Sequence, residues 1–306
     1  MEFFRNTHIN FMGGMRVAFI LSTILIVLSI GSLIAHGGPH LSIDFTGGAE
    51  LQVKIDPVPD IGQLRSALER QGLSGVQVQD FGAVDEFLIV LPRTGEDVLD
   101  AAQVLLDSVE KGLPGSTVEV RREESVGPKI GGELKTAAQS SVLAALLLIV
   151  LYISVRFVFR YGIAAIIALV HDVTLTLGIF SVLNLDISLS IIAAFLTIIG
   201  YSLNDTIVVF DRIRENMKLR RKESYRQVIN RSINECLSRT VLTSLTTLMV
   251  ALSLYLFGGP VIHDFAFALV IGVLVGTYSS MFIASPVLVW WYERRVADRK
   301  RSQPAM

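Results

Sequence analysis

Six stretches of this chain stay apolar long enough to cross a hydrocarbon core, and one long polar stretch separates the first from the second. Residues 17–35 and 136–155 carry no charge, and each is close to the roughly 20 residues that a spanning helix needs. Residues 161–183, 187–210, 240–257 and 265–292 supply four more spans. The intervening residues 36–135 show shorter periods. Ala49, Leu51, Val53 and Ile55 alternate with Glu50, Gln52, Lys54 and Asp56, which predicts a strand with one buried face. Asp60 caps a short helix with Ile61, Leu64 and Leu68 on one side. Val76 and Val78 alternate with glutamines in a second strand, and the apolar run 87–91 suits a central strand. Thr94 with Asp97 has the form of a capping box for a helix whose stripe is Val98, Ala101, Ala102, Leu105, Leu106 and Val109; a last strand runs over 117–121. Strand, helix, strand, strand, helix, strand is the ferredoxin-like order. The pattern predicts a polytopic α-helical membrane protein of six transmembrane helices, with a ferredoxin-like α+β domain after the first.

Composition agrees with that pattern: 51% of residues are hydrophobic and 18% charged, with a mean hydropathy of +0.55. The net charge of −1 hides a strong asymmetry. Residues 1–16 hold Arg5 and Arg16, the turn between the second and third spans holds Arg156 and Arg160, and the tail 293–306 is basic. The connection 211–239 is richer still, whereas 184–186 and 258–264 contain no Lys or Arg. Positive residues stay inside, so both termini are expected in the cytoplasm, with 36–135 on the outer side. The first span resembles a secretory signal, but its uncharged core is too long for one and predicts an uncleaved helix. Such a basic inner surface suits anionic membrane lipids and is no sign of nucleic acid. Within 211–239, Ser224 and Gln227 form a possible capping box, and Tyr225, Val228, Ile229, Ile233 and Leu237 share one face, which reads as an amphipathic helix lying on the membrane surface. Cys236 is the one cysteine, so no disulfide or thiolate cluster forms within the chain.

Catalytic chemistry is hard to find. "GGELKT" (131–136) does not match a phosphate-binding loop. The soluble domain shows no carboxylate pair, no nucleophile with a base and no metal spacing; Gly37, Gly38 and Pro39 break any helix that would align His36 with His40. The expectation is a non-enzyme without a cofactor, driven by a partner or an ion gradient. Asp205 is the exception to an apolar span. It sits five residues before Phe210, about 7–8 Å inside the inner boundary. A carboxylate at that depth costs on the order of 3 kcal/mol or more, and such groups face a partner or a water path. Tyr201 and Ser202 lie one turn outward on the same face. Antiparallel to them, the fifth span opens with Arg239, followed by Thr243, Thr246 and Thr247 at helical spacing. An arginine that approaches and leaves such an acid switches it between holding and releasing a proton; the same pair also reads as a static packing contact. His171 and Asp172, near the middle of the third span with Thr174 and Thr176 close by, either extend a proton path or satisfy each other, and spacing does not choose. Gly272, Gly276 and Ser280 form a small-residue ridge of the kind that lets helices pack closely.

At these residues the chain resembles the SecD/SecF family of bacterial protein-export membrane proteins, on its SecF side. The likeness rests on "IDFTGG" (43–48), "VGPKIG" (126–131), "HDV" (171–173), "GYSLNDTIVVFDRIREN" (200–216), "SRTVLTSLTTLMV" (238–250) and "LFGGP" (256–260). It runs through all six spans in order. The resemblance implies half of an RND-superfamily fold, completed by SecD as a heteromeric partner in the bacterial inner membrane. It also implies use of the proton motive force late in translocation, acting on the exported preprotein beside the Sec translocation channel. The family's membrane acid and arginine fall on Asp205 and Arg239. Asp44 matches the outer-side motif, whose glycines, Gly47 and Gly48 here, shape a hinge between membrane and domain. Two rival readings stand beside it: an RND-like small-molecule or lipid exporter subunit, which wants larger outer domains, and a structural scaffold for SecD or the channel.

Overall fold

The computed structural model describes residues 7–92, 101–156 and 158–301; Arg5, the Thr94–Asp97 box and Val98 lie outside the described residues. The chain enters through a long apolar helix, α1 (Phe11–Ala35), started by the Asn10 side chain, which accepts from Gly13 N–H. A short strap follows, containing the single-turn helix α2 (Ile43–Thr46).

The strap leads into the soluble domain: β1 (Gly48–Asp56), α3 (Ile61–Arg70), β2 (Gln77–Phe81), β3 (Ala83–Pro92), α4 (Ala101–Gly112) and β4 (Thr117–Val126). The strands form one antiparallel sheet in the order β2-β3-β1-β4, the ferredoxin-like arrangement. Period-two alternation explains its layering. Leu51, Val53 and Ile55 of β1 and Phe87 and Ile89 of β3 are buried against Leu64, Leu68, Leu105 and Val109 of the two helices. The apolar run of β3 is central, as its sequence predicts, and its alternate residues Leu88 and Val90 are half-buried on the face that carries no helix.

That open face looks onto the helix bundle across a polar cleft of about 780 Å³ lined by Glu50, Gln52, Arg122, Glu124, Asp186 and His263, among others. Burial, reinforced by the Glu124 carboxylate, pushes the Glu50 carboxyl above its ordinary range. The folded chain therefore holds this proton to a higher pH than the unfolded chain does, and folding loses stability as pH rises from the ordinary glutamate value through the raised one. Glu50→Gln is expected to raise the thermal midpoint of the detergent-solubilised chain at pH 8 by a few degrees at most. The gain should fade as the pH falls and vanish below about pH 4; an equal gain at every pH would contradict the assignment.

Past the domain come α5 (Pro128–Arg156), α6 (Phe159–Val182), α7 (Leu189–Leu219), α8 (Tyr225–Phe257) and α9 (Pro260–Ser279), then a π-helical turn (Ser280–Ala284) and α10 (Ser285–Arg301). Among the described residues, six helices are long and apolar enough to cross a membrane: α1, α5, α6, α7, α8 and the continuous run Pro260–Arg294. They overrun the apolar windows, since helix propagation needs only backbone hydrogen bonds and does not stop at a change of polarity. At the centre of the bundle α9 packs on α6, α7 and α8. Around it, α5 buries only Gly131 and Ile153 and presents Leu143, Leu147, Leu148 and Leu151 outward.

One expectation is corrected. Segment 211–239 is not a helix lying on the membrane surface: its first part completes α7, and a short turn leads into α8, which starts at Tyr225 under the full Ser224–Gln227 capping box. The amphipathic face is genuine but turns inward, where Ile229, Ile233 and Leu237 pack with Phe11 and Met12 of α1 and Phe210 and Ile213 of α7. Asn230 and Asn234 fasten the segment before α1 to this extension: Asn234 Oδ1 accepts from Ile9 N–H (2.9 Å) and Asn230 Oδ1 from Met12 N–H (3.1 Å). Protein had displaced lipid as the partner of the stripe.

Candidate functional site

The strap between α1 and the soluble domain is bound to α7 by backbone and side chain together. Ile187 N–H donates to His40 C=O (2.7 Å), and Ser42 N–H to Ile187 C=O (3.1 Å). Leu189 N–H, the first of α7, donates to Asp44 Oδ2 at 2.8 Å. A carboxylate at a helix start satisfies an orphan donor and complements the helix dipole. Gly47 has φ +74°, a conformation strained for any side chain, and a Cβ there would be tight as well, 3.2 Å from Val126 C=O and 3.4 Å from Pro128 Cα. Gly48 continues into β1 at φ +140°. Asp44, Gly47 and Gly48 thus sit where α1, α7, α5 and the sheet meet. At the far side of the domain the β2–β3 hairpin rests its Gly82 against Pro260. His36 and His40 come together despite the break between them, ring centroids 5.8 Å apart; no metal-holding cluster is found among the described residues.

Inside the bundle Asp205 is buried on α7, 3% exposed. The hydroxyls facing it are shared with other partners. Ser244 Oγ reaches Asp205 Oδ2 only at 3.5 Å and lies 2.7 Å from Thr277 Oγ1. Thr243 faces the acid too, but its hydroxyl donates to Arg239 C=O at 3.0 Å. Arg239 on α8 is exposed and within electrostatic reach of Asp205, with no ion pair between them among the described residues. Arg212, two turns from the acid on α7, is held instead by Glu235 (2.6 Å) and Glu215 (2.7 Å).

The relay candidates divide between two acids. Ser202, expected beside Asp205, points across to α6 and donates to Asp172 Oδ2 at 2.5 Å. Ser279 of α9 donates to the same oxygen at 2.7 Å. His171 Nδ1 lies 2.9 Å from Asp172 Oδ1, while its ring lies over Tyr278. Tyr201 is half-buried, and its hydroxyl has no partner among the described residues.

Sequence spacing missed Ser244, Thr277 and Ser279, because each belongs to a helix remote in the chain. The small-residue ridge was the available signal: Gly276 lies where a Cβ would be 3.0 Å from Ser202 Cβ, and Gly272 where it would meet Ile198. That close approach of α9 to α7 brings Ser279 and Ser202 onto one carboxylate. Ser280, named as the third member of the ridge, is also buried, but it opens the π turn and donates to Thr277 C=O, while Ser285 donates to the Ser280 C=O.

Residues 108–294 match the family described as protein export membrane protein SecD/SecF, C-terminal, and residues 32–57 match the SecD/SecF GG motif. A protein translocase subunit SecF from Desulfurispirillum indicum is 46% identical over 295 residues, covering 94% of this chain and 93% of that one. Another from Rhodothermus marinus is 42% identical over 306 residues, covering 98% of each. Among solved structures, SecDF from Thermus thermophilus, a translocon-associated membrane protein, superposes with a TM-score of 0.83 at 41% identity, over 96% of this chain and 40% of that one. SecDF in its super-membrane-facing form gives 0.72. The chain thus spans about 40% of those SecDF chains and nearly the whole of the SecF relatives. A six-span bundle, a strap falling on the GG motif and full-length relatives of one kind lead to one assignment: this chain belongs to the SecF branch of the SecD/SecF protein-export family.

Proposed function

We propose that this chain is a non-enzymatic subunit that uses the proton motive force to assist a late step of protein translocation, working with SecD in the bacterial inner membrane. Its termini then lie in the cytoplasm and its soluble domain outside, beside the Sec channel and the emerging preprotein. The relatives in which one chain is named SecDF support the partnership. The exposed apolar faces of α5 and α8 leave room for a companion helix bundle as well as lipid.

The observation that carries the reading is Asp205: a buried acid whose facing hydroxyls are shared with other partners, with no ion pair to it among the described residues and an exposed arginine within electrostatic reach. An approaching guanidinium favours the charged form of such an acid and a departing one the neutral form, so conformation and proton occupancy are linked. A proton crossing the membrane contributes about 2.3 kcal/mol per 100 mV, enough to bias a conformational equilibrium substantially. The change has a route outward. Asp205 lies 16 residues, about 24 Å, along the same rigid helix from Leu189. The Leu189 amide is held by Asp44 of the strap that carries the soluble domain.

In inverted membrane vesicles bearing this chain with SecD, the pair should add an increment to preprotein export, and dissipating the proton gradient should abolish that increment. An increment indifferent to the gradient would overturn the reading.

A further inference from the structure

Asp172 is fully buried, at the junction of α6, α7 and α9. Among the described residues no lysine or arginine faces it. Its neighbours are His171 on its own helix, Ser202 on α7 with Asp205 one turn beyond, and Ser279 with Tyr278 on the α9 side. The hydrogen-bond pattern is asymmetric. Oδ2 lies within hydrogen-bonding distance of both hydroxyls, of which Ser279 also reaches Gly276 C=O at 3.1 Å, while Oδ1 faces only His171 Nδ1 at 2.9 Å. That contact is satisfied with the proton on either atom: ring N–H donating to a carboxylate, or a carboxylic acid donating to the ring. The two charge states need no side-chain movement.

The second observation is the other end of the ring. His171 is 3% exposed, and its Nε2 is buried with no partner among the described residues. A packing clasp would have both ring nitrogens satisfied. A ring that passes protons needs a free acceptor at one nitrogen. The adjoining turn, Ser280–Ala284, is π-helical, a local form frequent at functional sites.

We propose that Asp172 is a second proton-binding acid in series with Asp205, loaded and unloaded through His171. This deepens the proton-coupled reading above and rests on it. In the loading step a proton arrives at His171 Nε2 as the Nδ1 proton passes to Asp172 Oδ1. The ring ends neutral in its other tautomer, and the carboxylate ends as a neutral acid. Ser202, bonded to Asp172 and one turn from Asp205, is the hydroxyl between the two sites.

The test is difference infrared spectroscopy of the purified complex with SecD through a pH jump, paired with vesicle export. Asp205→Asn should leave a titrating buried carboxyl band that Asp172→Asn in that background removes. Asp172→Asn alone should cut the gradient-dependent increment about ten-fold or more, and Asp172→Glu should restore part of it. Should Asp172→Asn fail to assemble, His171→Gln keeps the acid and should slow its hydrogen–deuterium exchange about ten-fold or more. A carboxyl band indifferent to Asp172, an undiminished increment, or unchanged exchange in His171→Gln overturns the proposal. If Asp205→Asn itself leaves the increment intact, the parent reading fails; if only the Asp172 variants are silent, this inference fails alone.

Discussion

Asp205→Asn is expected to remove the whole gradient-dependent part of export while the complex with SecD still assembles to normal yield. Asparagine keeps the volume and one acceptor oxygen, so the packing of α7 against α8 and α9 survives; Ser244 can still approach the retained oxygen. What disappears is the ability to change charge. The exposed Arg239 then meets a neutral group in every conformation, and moving it toward or away from position 205 no longer changes proton occupancy. Arg239→Gln should give a similar loss from the other side, because the acid would have no mobile charge to respond to. Arg239→Lys keeps the charge on a long stem and should retain part of the increment. Measured in vesicles with and without a gradient, normal yield with unchanged gradient dependence in Asp205→Asn would leave only a scaffold.

Gly178→Leu should produce the largest structural effect in the bundle. Gly178 lies in the α1–α6 contact, where even a Cβ would stand 2.7 Å from the Ser29 Cα and collide with the Ser29 side chain. The obstacle is backbone, which no rotamer change relieves. The two helices must separate, and with them the Ser32–Ser181 hydrogen bond (2.8 Å) that His36 adjoins. Overpacking a tight core costs about 1–3 kcal/mol, and a leucine forced against backbone belongs at or above the top of that range. The expected outcome is a sharp fall in monodisperse protein after extraction, with a lowered thermal midpoint in what remains. Gly31→Ala is the control: nothing lies within 4 Å of a Cβ at that position, and replacing a helical glycine stabilises by up to about 1 kcal/mol. Similar yields for the two variants would mean that α1 and α6 are not packed so closely.

Much of the architecture was legible because it depends on local rules. A spanning helix satisfies its own backbone donors and acceptors, so length and hydropathy alone locate it. The soluble domain was legible because period-two alternation and turn-length spacing repeat within short windows, as at residues 49–56 of β1. Segment 211–239 shows the limit. Its amphipathic stripe was read correctly, but a stripe does not say whether lipid or protein covers it, and Phe11 and Met12 of a remote helix decided that. Ser202 shows it again. It sits one turn from Asp205 and shares its side of α7, yet its hydroxyl goes to α6. The small-residue ridge on α9 signalled close packing without naming what would be packed.

The sequence by itself determined that this chain makes six spans, one ferredoxin-like domain and a carboxylate stranded at membrane depth, because hydropathy, strand alternation and the cost of burying charge each act over a turn or two of chain. Only the tertiary structure decided which hydroxyl serves which acid, that Asp172 draws on three helices, and that Asp44 grips the start of the helix bearing Asp205. Those contacts join residues from 30 to 145 positions apart. A hydrogen bond spans about 3 Å, so its partner is chosen by how helices dock, and docking is a property of whole surfaces that no short window of sequence contains.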